Sequence, residues 1–347
     1  MTSLKHTLVL GFIVFSSVYH AQAQSVAEAS NYMSRFSKEN ETISNAMWDY
    51  ISAAAHSKSR RIIDNRRKSL IGTILTAEKR VSSMECLNSD CLLRDSTAGY
   101  FHLSYLVLNE DFEKLLNMEE IAEQSYDLME AYLLAKEKVD EKMDSASREI
   151  DAQYRKFAAR YKVPLQEKPD KLALKLQKAS QVFDYRNKVF LLFFKGYKQE
   201  AYLLSAWEKN DLAAMEQNAD MLKTFSDNGL AVLDTMKAYK GDGSLRLYCT
   251  QMLTFYRKEA AENIPFILDF TLKKEEFEKV AKELEAKPQM VRTKEDVELY
   301  NKLLKEYNTG SIKYNAMIKQ MNSDRSRILN AWNNAEVVFL QRHIPQK

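Results

Sequence analysis

Tyr300-Asn301, Tyr307-Asn308 and Tyr314-Asn315 recur at intervals of seven residues, and Met321-Asn322 adds a fourth beat. Alternating steps of three and four extend the apolar partner into a stripe: Val297, Tyr300, Leu304, Tyr307, Ser311, Tyr314, Ile318, Met321, Arg325, Ile328, Trp332, Ala335 and Phe339. Only Ser311 and Arg325 interrupt it. A strand alternates with period two, so a spacing held this long specifies one face of a long α-helix packed lengthwise against other helices. Thr293 with Asp296 three residues on marks its start, and the pattern runs to about Arg342. At ~1.5 Å per residue the unbroken helix would be on the order of 70 Å long. Gly310 could interrupt it.

The rest of the chain agrees with a helical fold. Among 347 residues there are only 8 Gly and 5 Pro, too few for the turns of an all-β protein. The 51 basic and 48 acidic residues are interspersed without a basic block, which argues against a nucleic-acid partner. At the N-terminus, Lys5 precedes an apolar run from Leu8 to Val18, and Ala21 and Ala23 stand at the two cleavage positions. Residues 1–23 therefore read as an export signal with the mature chain starting at Gln24. The run is too short for a membrane anchor, and no transmembrane segment is expected after cleavage. The expected location is the periplasm or the cell surface.

Helical periodicity predicts eight helices: Val26 to His56, Arg60 to Met84, Leu92 to Leu116, Asn117 to Tyr161, Lys171 to Lys209, Leu212 to Tyr239, Ser244 to Ala286 with a kink or break at Pro265, and the last from Thr293. Pro164 and Pro169 stop a helix and set the expected linker at 165–170, between a first four-helix unit (24–164) and a second (171–347). The two units read as a tandem duplication. Leu93-Arg94 returns as Leu245-Arg246, and Met143-Asp144-Ser145 as Met321-Asn322-Ser323. Each unit also closes on Phe, two residues, Arg and an aromatic ring, at Phe157 to Tyr161 and Phe339 to His343, with a β-branched residue and proline soon after. The fold class is all-α, with two tandem four-helix-bundle-like units of long helices.

Cys86 and Cys91 flank the polar loop Leu87-Asn88-Ser89-Asp90. In an oxidising compartment they can close a loop-stapling disulfide; otherwise they are two thiols. Cys249 has no partner in view and fits a buried small hydrophobe.

Sites of chemistry are sparse. His56, His102 and His343 have Ala53, Gly99 and Leu340 three positions earlier, so the Glu-x-x-His pairs of helical-bundle metal centres are missing. His102, within an aromatic helix, is expected as a hydrogen-bonded core residue. There is no Gly-x-Ser-x-Gly elbow, glycine-rich phosphate loop or His-Glu-x-x-His. Paired acids such as Glu119-Glu120 and Glu275-Glu276 suit charged faces and helix starts. No metal, cofactor or catalytic residue is expected. The candidate ligand-binding residues are Tyr300, Asn301, Tyr307, Asn308, Tyr314 and Asn315. Buried, they would form a seam whose amides set helix register; exposed, a groove where rings stack on an extended glycan or peptide and amides bond to it.

The export signal, the heptads from Tyr300 to Asn322 and the closing stretch Arg325 to Pro345 make the chain resemble exported helical-bundle surface-protein families of Bacteroidota and other bacteria. That resemblance implies no active-site residues. Imelysin-type periplasmic proteins also pair two helical bundles, but their Gly-x-His-x-x-Glu motif is absent: Gly99 and His102 are wrongly spaced, and Tyr105 stands where an acid would be needed. The expectation is a non-enzymatic protein that binds an envelope protein or glycan. The alternative is an imelysin-like metal-uptake factor or an enzyme with a site between the units.

Overall fold

The protein is all-α. The computed structural model describes residues 22–57, 59–111, 125–165 and 171–346. Its helices are α1 (Gln22–His56), α2 (Arg60–Ser82), α3 (Leu92–Leu106), α4 (Tyr126–Tyr161), α5 (Lys171–Glu208), α6 (Leu212–Thr235), α7 (Ser244–Lys258), α8 (Ile264–Ala286) and α9 (Lys294–His343). Wider π-turns, Val107–Asp111 and Glu259–Asn263, follow α3 and α7. Among the described residues there is no strand, only two isolated β-bridges within turns. The signal segment, the expected Asn117 cap and Glu119-Glu120 lie outside the described residues, save Gln22 and Ala23.

The chain forms two compact units, and they do not follow the halves that the proline pair suggests. One takes the described residues up to Asn187 together with those from Val337 onward; the other is Lys188–Glu336. The division falls inside α5 and α9, because each of these long helices contributes side chains to both cores. Of the expected linker, only Leu165 is among the described residues.

In the first unit α1, α2, α3 and α4 pack in succession, and α4 returns against α1. The rings of Tyr32, Phe36, Tyr154 and Phe157 fill its centre, with Tyr32 and Phe36 edge to face at 4.8 Å. The tail of α9 belongs to the same unit: Phe339 stacks on Tyr185 at 5.7 Å, and His56 Nε2 donates to the Ile344 carbonyl at 2.7 Å. The second unit is centred on Val189, Met252, Leu253, Tyr256, Ile264 and Trp332, all buried. Trp332 stacks on Phe193 at 4.5 Å. Cys249 is buried there, its thiol 3.7 Å from the Val189 carbonyl, and burial pushes that thiol's pKa up.

One turn occurs in both units with the same register. Asp90 N–H donates to the Leu87 carbonyl at 2.8 Å, and Asp242 N–H to the Tyr239 carbonyl at 2.9 Å, 152 positions on. The central residues take positive φ in both, 49° and 65° at Asn88 and Ser89, 49° and 87° at Lys240 and Gly241. The flanking arginine caps the preceding helix each time. Arg94 donates to the Met84 carbonyl at 3.0 Å, and Arg246 to the Met236 carbonyl at 2.7 Å. Both π-turns fall at the same offset.

Cys86 and Cys91 are joined across the first turn, with Cα atoms 4.6 Å apart. In the second turn Ala238 and Gly243 hold those places, and the geometry is the same without a cross-link. The disulfide therefore limits the unfolded chain more than it shapes the turn. Cys86→Ala with Cys91→Gly is expected to lower stability by at most about 2 kcal/mol, the loop-entropy value for so short a loop. Thermal unfolding of wild type and variant, with and without reductant, checks this; loss of the folded first unit would contradict it.

Candidate functional site

The tyrosine row forms one side of an antiparallel two-helix hairpin. Phe277 of α8 meets Tyr300 at 5.7 Å and Tyr307 at 5.0 Å; Phe270 meets Tyr307 at 6.0 Å and Tyr314 at 4.9 Å. α9 runs unbroken through Gly310, which faces the partner helix. A Cβ there would lie 2.8 Å from a Phe270 ring carbon, so glycine is what permits this close approach. The rings are thus half-covered by the hairpin itself. Asn301, Asn308 and Asn315 are exposed along its flank and set no register. Beside them Phe266, Lys302, Lys305 and Lys313 line an open groove of about 550 Å³, with Lys313 lying over the Phe266 ring at 4.4 Å. The hairpin turn is pinned by the expected cap. Asp296 N–H donates to Thr293 Oγ1 at 3.1 Å, and Thr293 N–H donates back to Asp296 Oδ2 at 3.0 Å.

Deeper in the second unit lies a constellation that motif searching misses. Arg325, one of the two interruptions of the stripe, donates from Nε to Glu200 Oε1 at 2.6 Å and from a terminal nitrogen to Glu259 Oε1 at 2.5 Å. Its other terminal nitrogen reaches Asn322 Oδ1 at 2.6 Å, and its guanidinium lies 5.7 Å from the Phe255 ring centre. Glu200 on α5 is 3% exposed and Glu259, first residue of the π-turn, is 0% exposed. Glu259 Oε2 and the Tyr256 hydroxyl lack a partner in good hydrogen-bonding geometry, though both lie close to the Glu200 carboxylate.

Two buried acids share one cation. Burial first, and the neighbouring Glu200 charge second, push the Glu259 pKa up to about 8 despite Arg325, so at neutral pH this carboxyl keeps its proton. Burial works against the Arg325 charge, but Glu259 and Glu200 outweigh it and hold its pKa above the usual value.

A signal for this cluster exists in the sequence. Glu200 lies on the stripe Val189, Phe193, Gly196, Leu203; Glu259 lies on Cys249, Met252, Tyr256; Arg325 lies between Met321 and Ile328. Each charge occupies an inward position of an apolar face, where an unpaired charge is very costly. What periodicity leaves out is that the three meet.

His102 is not a core residue: α3 turns it to the surface, where Nδ1 pairs with Glu78 at 3.0 Å. Among the described residues, no group of three or more His, Cys, Asp and Glu side chains is placed to hold a metal ion, and no helix is long and apolar enough to cross a membrane. The chain matches no protein-family model, no curated protein and no solved structure. Its class is therefore set by its own coordinates: an all-helical protein with a two-helix hairpin rooted on a core that buries an ion cluster.

Proposed function

We propose that this is an exported, non-enzymatic binding protein of the cell envelope, periplasmic or at the surface, that engages a partner protein or glycan along the α8–α9 hairpin. One observation carries the reading. Asn301, Asn308 and Asn315 are exposed at seven-residue intervals, while the adjacent tyrosine rings rest on Phe270 and Phe277. The amides are thus spare for a ligand, on a face stiffened by stacked rings. The Cys86–Cys91 bridge supports an oxidising location. The recurrence of turn, arginine cap and π-turn at one offset supports a duplicated origin of the units.

The enzymatic alternative asks for acids from different helices converging on an accessible cavity. Glu200 and Glu259 do converge, but Arg325 is bonded to both and Glu259 has no exposed surface, which favours a core role over substrate chemistry.

A photocrosslinking residue in place of Asn308 is expected to trap a discrete envelope component in cells, and the same residue at exposed Lys279 on α8 is expected not to. Asn301→Ala/Asn308→Ala/Asn315→Ala should abolish the trapping from a residue placed at Ser311, with stability changed by no more than about 0.5 kcal/mol per site. Equal yields from both helices, or none from either, would refute binding along the asparagine row. Sequencing of the exported chain should begin at Gln24.

A further inference from the structure

The ion cluster has a feature that packing alone does not account for. At the 152-residue offset, the place of Glu200 is taken in the first unit by Trp48 and that of Glu259 by Val107, which are 5% and 4% exposed. Val107 opens a π-turn just as Glu259 does, so the turn itself needs no charge. Apolar side chains in place of a buried ion cluster are often neutral or stabilising, so the architecture could be built more simply here too. The second unit nonetheless buries two acids under a half-buried arginine, and does so where the hairpin begins. α8 starts at Ile264, directly after the π-turn, and α9 carries Arg325 inward of the tyrosine row. Single π-turns within helices are found frequently at functional sites.

We propose that Glu200, Glu259 and Arg325 form a proton-operated latch at the root of the α8–α9 hairpin. Closed, Glu259 keeps its proton beside Glu200 while Arg325 bridges the pair. Open, Glu259 reaches water and releases one proton to solvent, and the π-turn loosens its hold on both hairpin helices. The groups facing Glu259 are few. Glu200 comes from α5, Tyr256 from α7, and Arg325 with its partner Asn322 from α9, while Tyr197 of α5 lies near Tyr256. α6, which packs on the π-turn, turns Met215, Ala219, Leu222, Ser226, Gly229 and Leu233 inward, none of which titrates.

The sign follows from linkage. The closed state binds a proton up to about pH 8, whereas a solvated glutamate releases it near pH 4.5. Between these values the open form gains as pH rises, by about tenfold per pH unit, and above pH 8 the gain levels off. The latch is tightest under acid conditions.

Amide exchange of the full chain at pH 5.5, 6.5, 7.5 and 9.0, with each rate divided by the intrinsic chemical rate at that pH, reads the opening directly. Protection of peptides covering Glu259–Asn263 is expected to fall about tenfold per unit from pH 5.5 to 7.5 and little further by pH 9.0. Peptides from α2 in the first unit are expected to hold steady. In Glu259→Gln, the neutral isostere of the closed form, the π-turn should lose its pH dependence. Glu259→Val, which installs the first unit's residue, should be flat as well and serves if the glutamine variant folds poorly. A flat wild-type profile, a slope retained in either variant, or an equal slope in α2 would overturn the latch.

Discussion

Arg325→Met should destabilise the protein by about 3–5 kcal/mol in urea unfolding at pH 7, the range for removing one partner of a buried ion pair. The methionine fills much of the same space, so lost packing is a minor part of the cost. The larger part is that Glu200 and Glu259, 3% and 0% exposed, lose the only cation bonded to them among the described residues. Without it, the buried pair of acids has no compensating charge beside it. Adding Glu200→Gln and Glu259→Gln to Arg325→Met should recover most of the loss, since neutral hydrogen-bonding amides replace the buried acid pair that the arginine no longer compensates. A triple variant no more stable than Arg325→Met would mean that arginine packing, and not charge compensation, is what the core needs.

Phe270→Ala should cost about 3–5 kcal/mol, as for deletion of a large ring from a packed site. Phe270 is the ring between Tyr307 and Tyr314, and it also lies against Gly310 and Phe266. Removing it opens the seam in the middle, where both helices depend on each other for their buried face. The same geometry fixes the sign of a second change. Alanine normally gains about 1 kcal/mol over glycine inside a helix. At Gly310, however, the new methyl group would lie 2.8 Å from a Phe270 ring carbon, so the ring must move and Gly310→Ala should be destabilising in wild type. In the Phe270→Ala background the clash is gone and the substitution should stabilise. Thermal melts of the four combinations measure this; a Gly310→Ala effect of the same sign in both backgrounds would show that the contact is not tight in solution.

Much of the architecture was readable because its causes are local. The heptad spacing specifies α9, Thr293 and Asp296 cap it through reciprocal bonds, and Gly241-Asp242-Gly243 places a turn where left-handed backbone is easy. Pro265 marks a break, and the structure sets it just inside the start of α8 behind a π-turn. The candidate tyrosines and asparagines were legible as a row, yet their split into half-covered rings and exposed amides was not. That split depends on which face α8 covers, and the alignment of Phe270 and Phe277 against the tyrosines is set by the packing of the two helices. His102 illustrates the same limit: its aromatic neighbours suggested burial, but helical phase turns the imidazole outward toward Glu78.

Periodicity and turn chemistry, acting over a few residues, determined that this chain is helical, where several of its helices begin and end, and that one of them is very long. Only the tertiary structure decided that the two compact units divide inside α5 and α9 and that Arg325 reaches both Glu200 and Glu259. The reason lies in range. A helix stripe is written in steps of three and four residues, whereas the contacts of Arg325 span 125 and 66 positions along the chain. A charge on an apolar face tells that a partner is needed; only the packing of three helices supplies it.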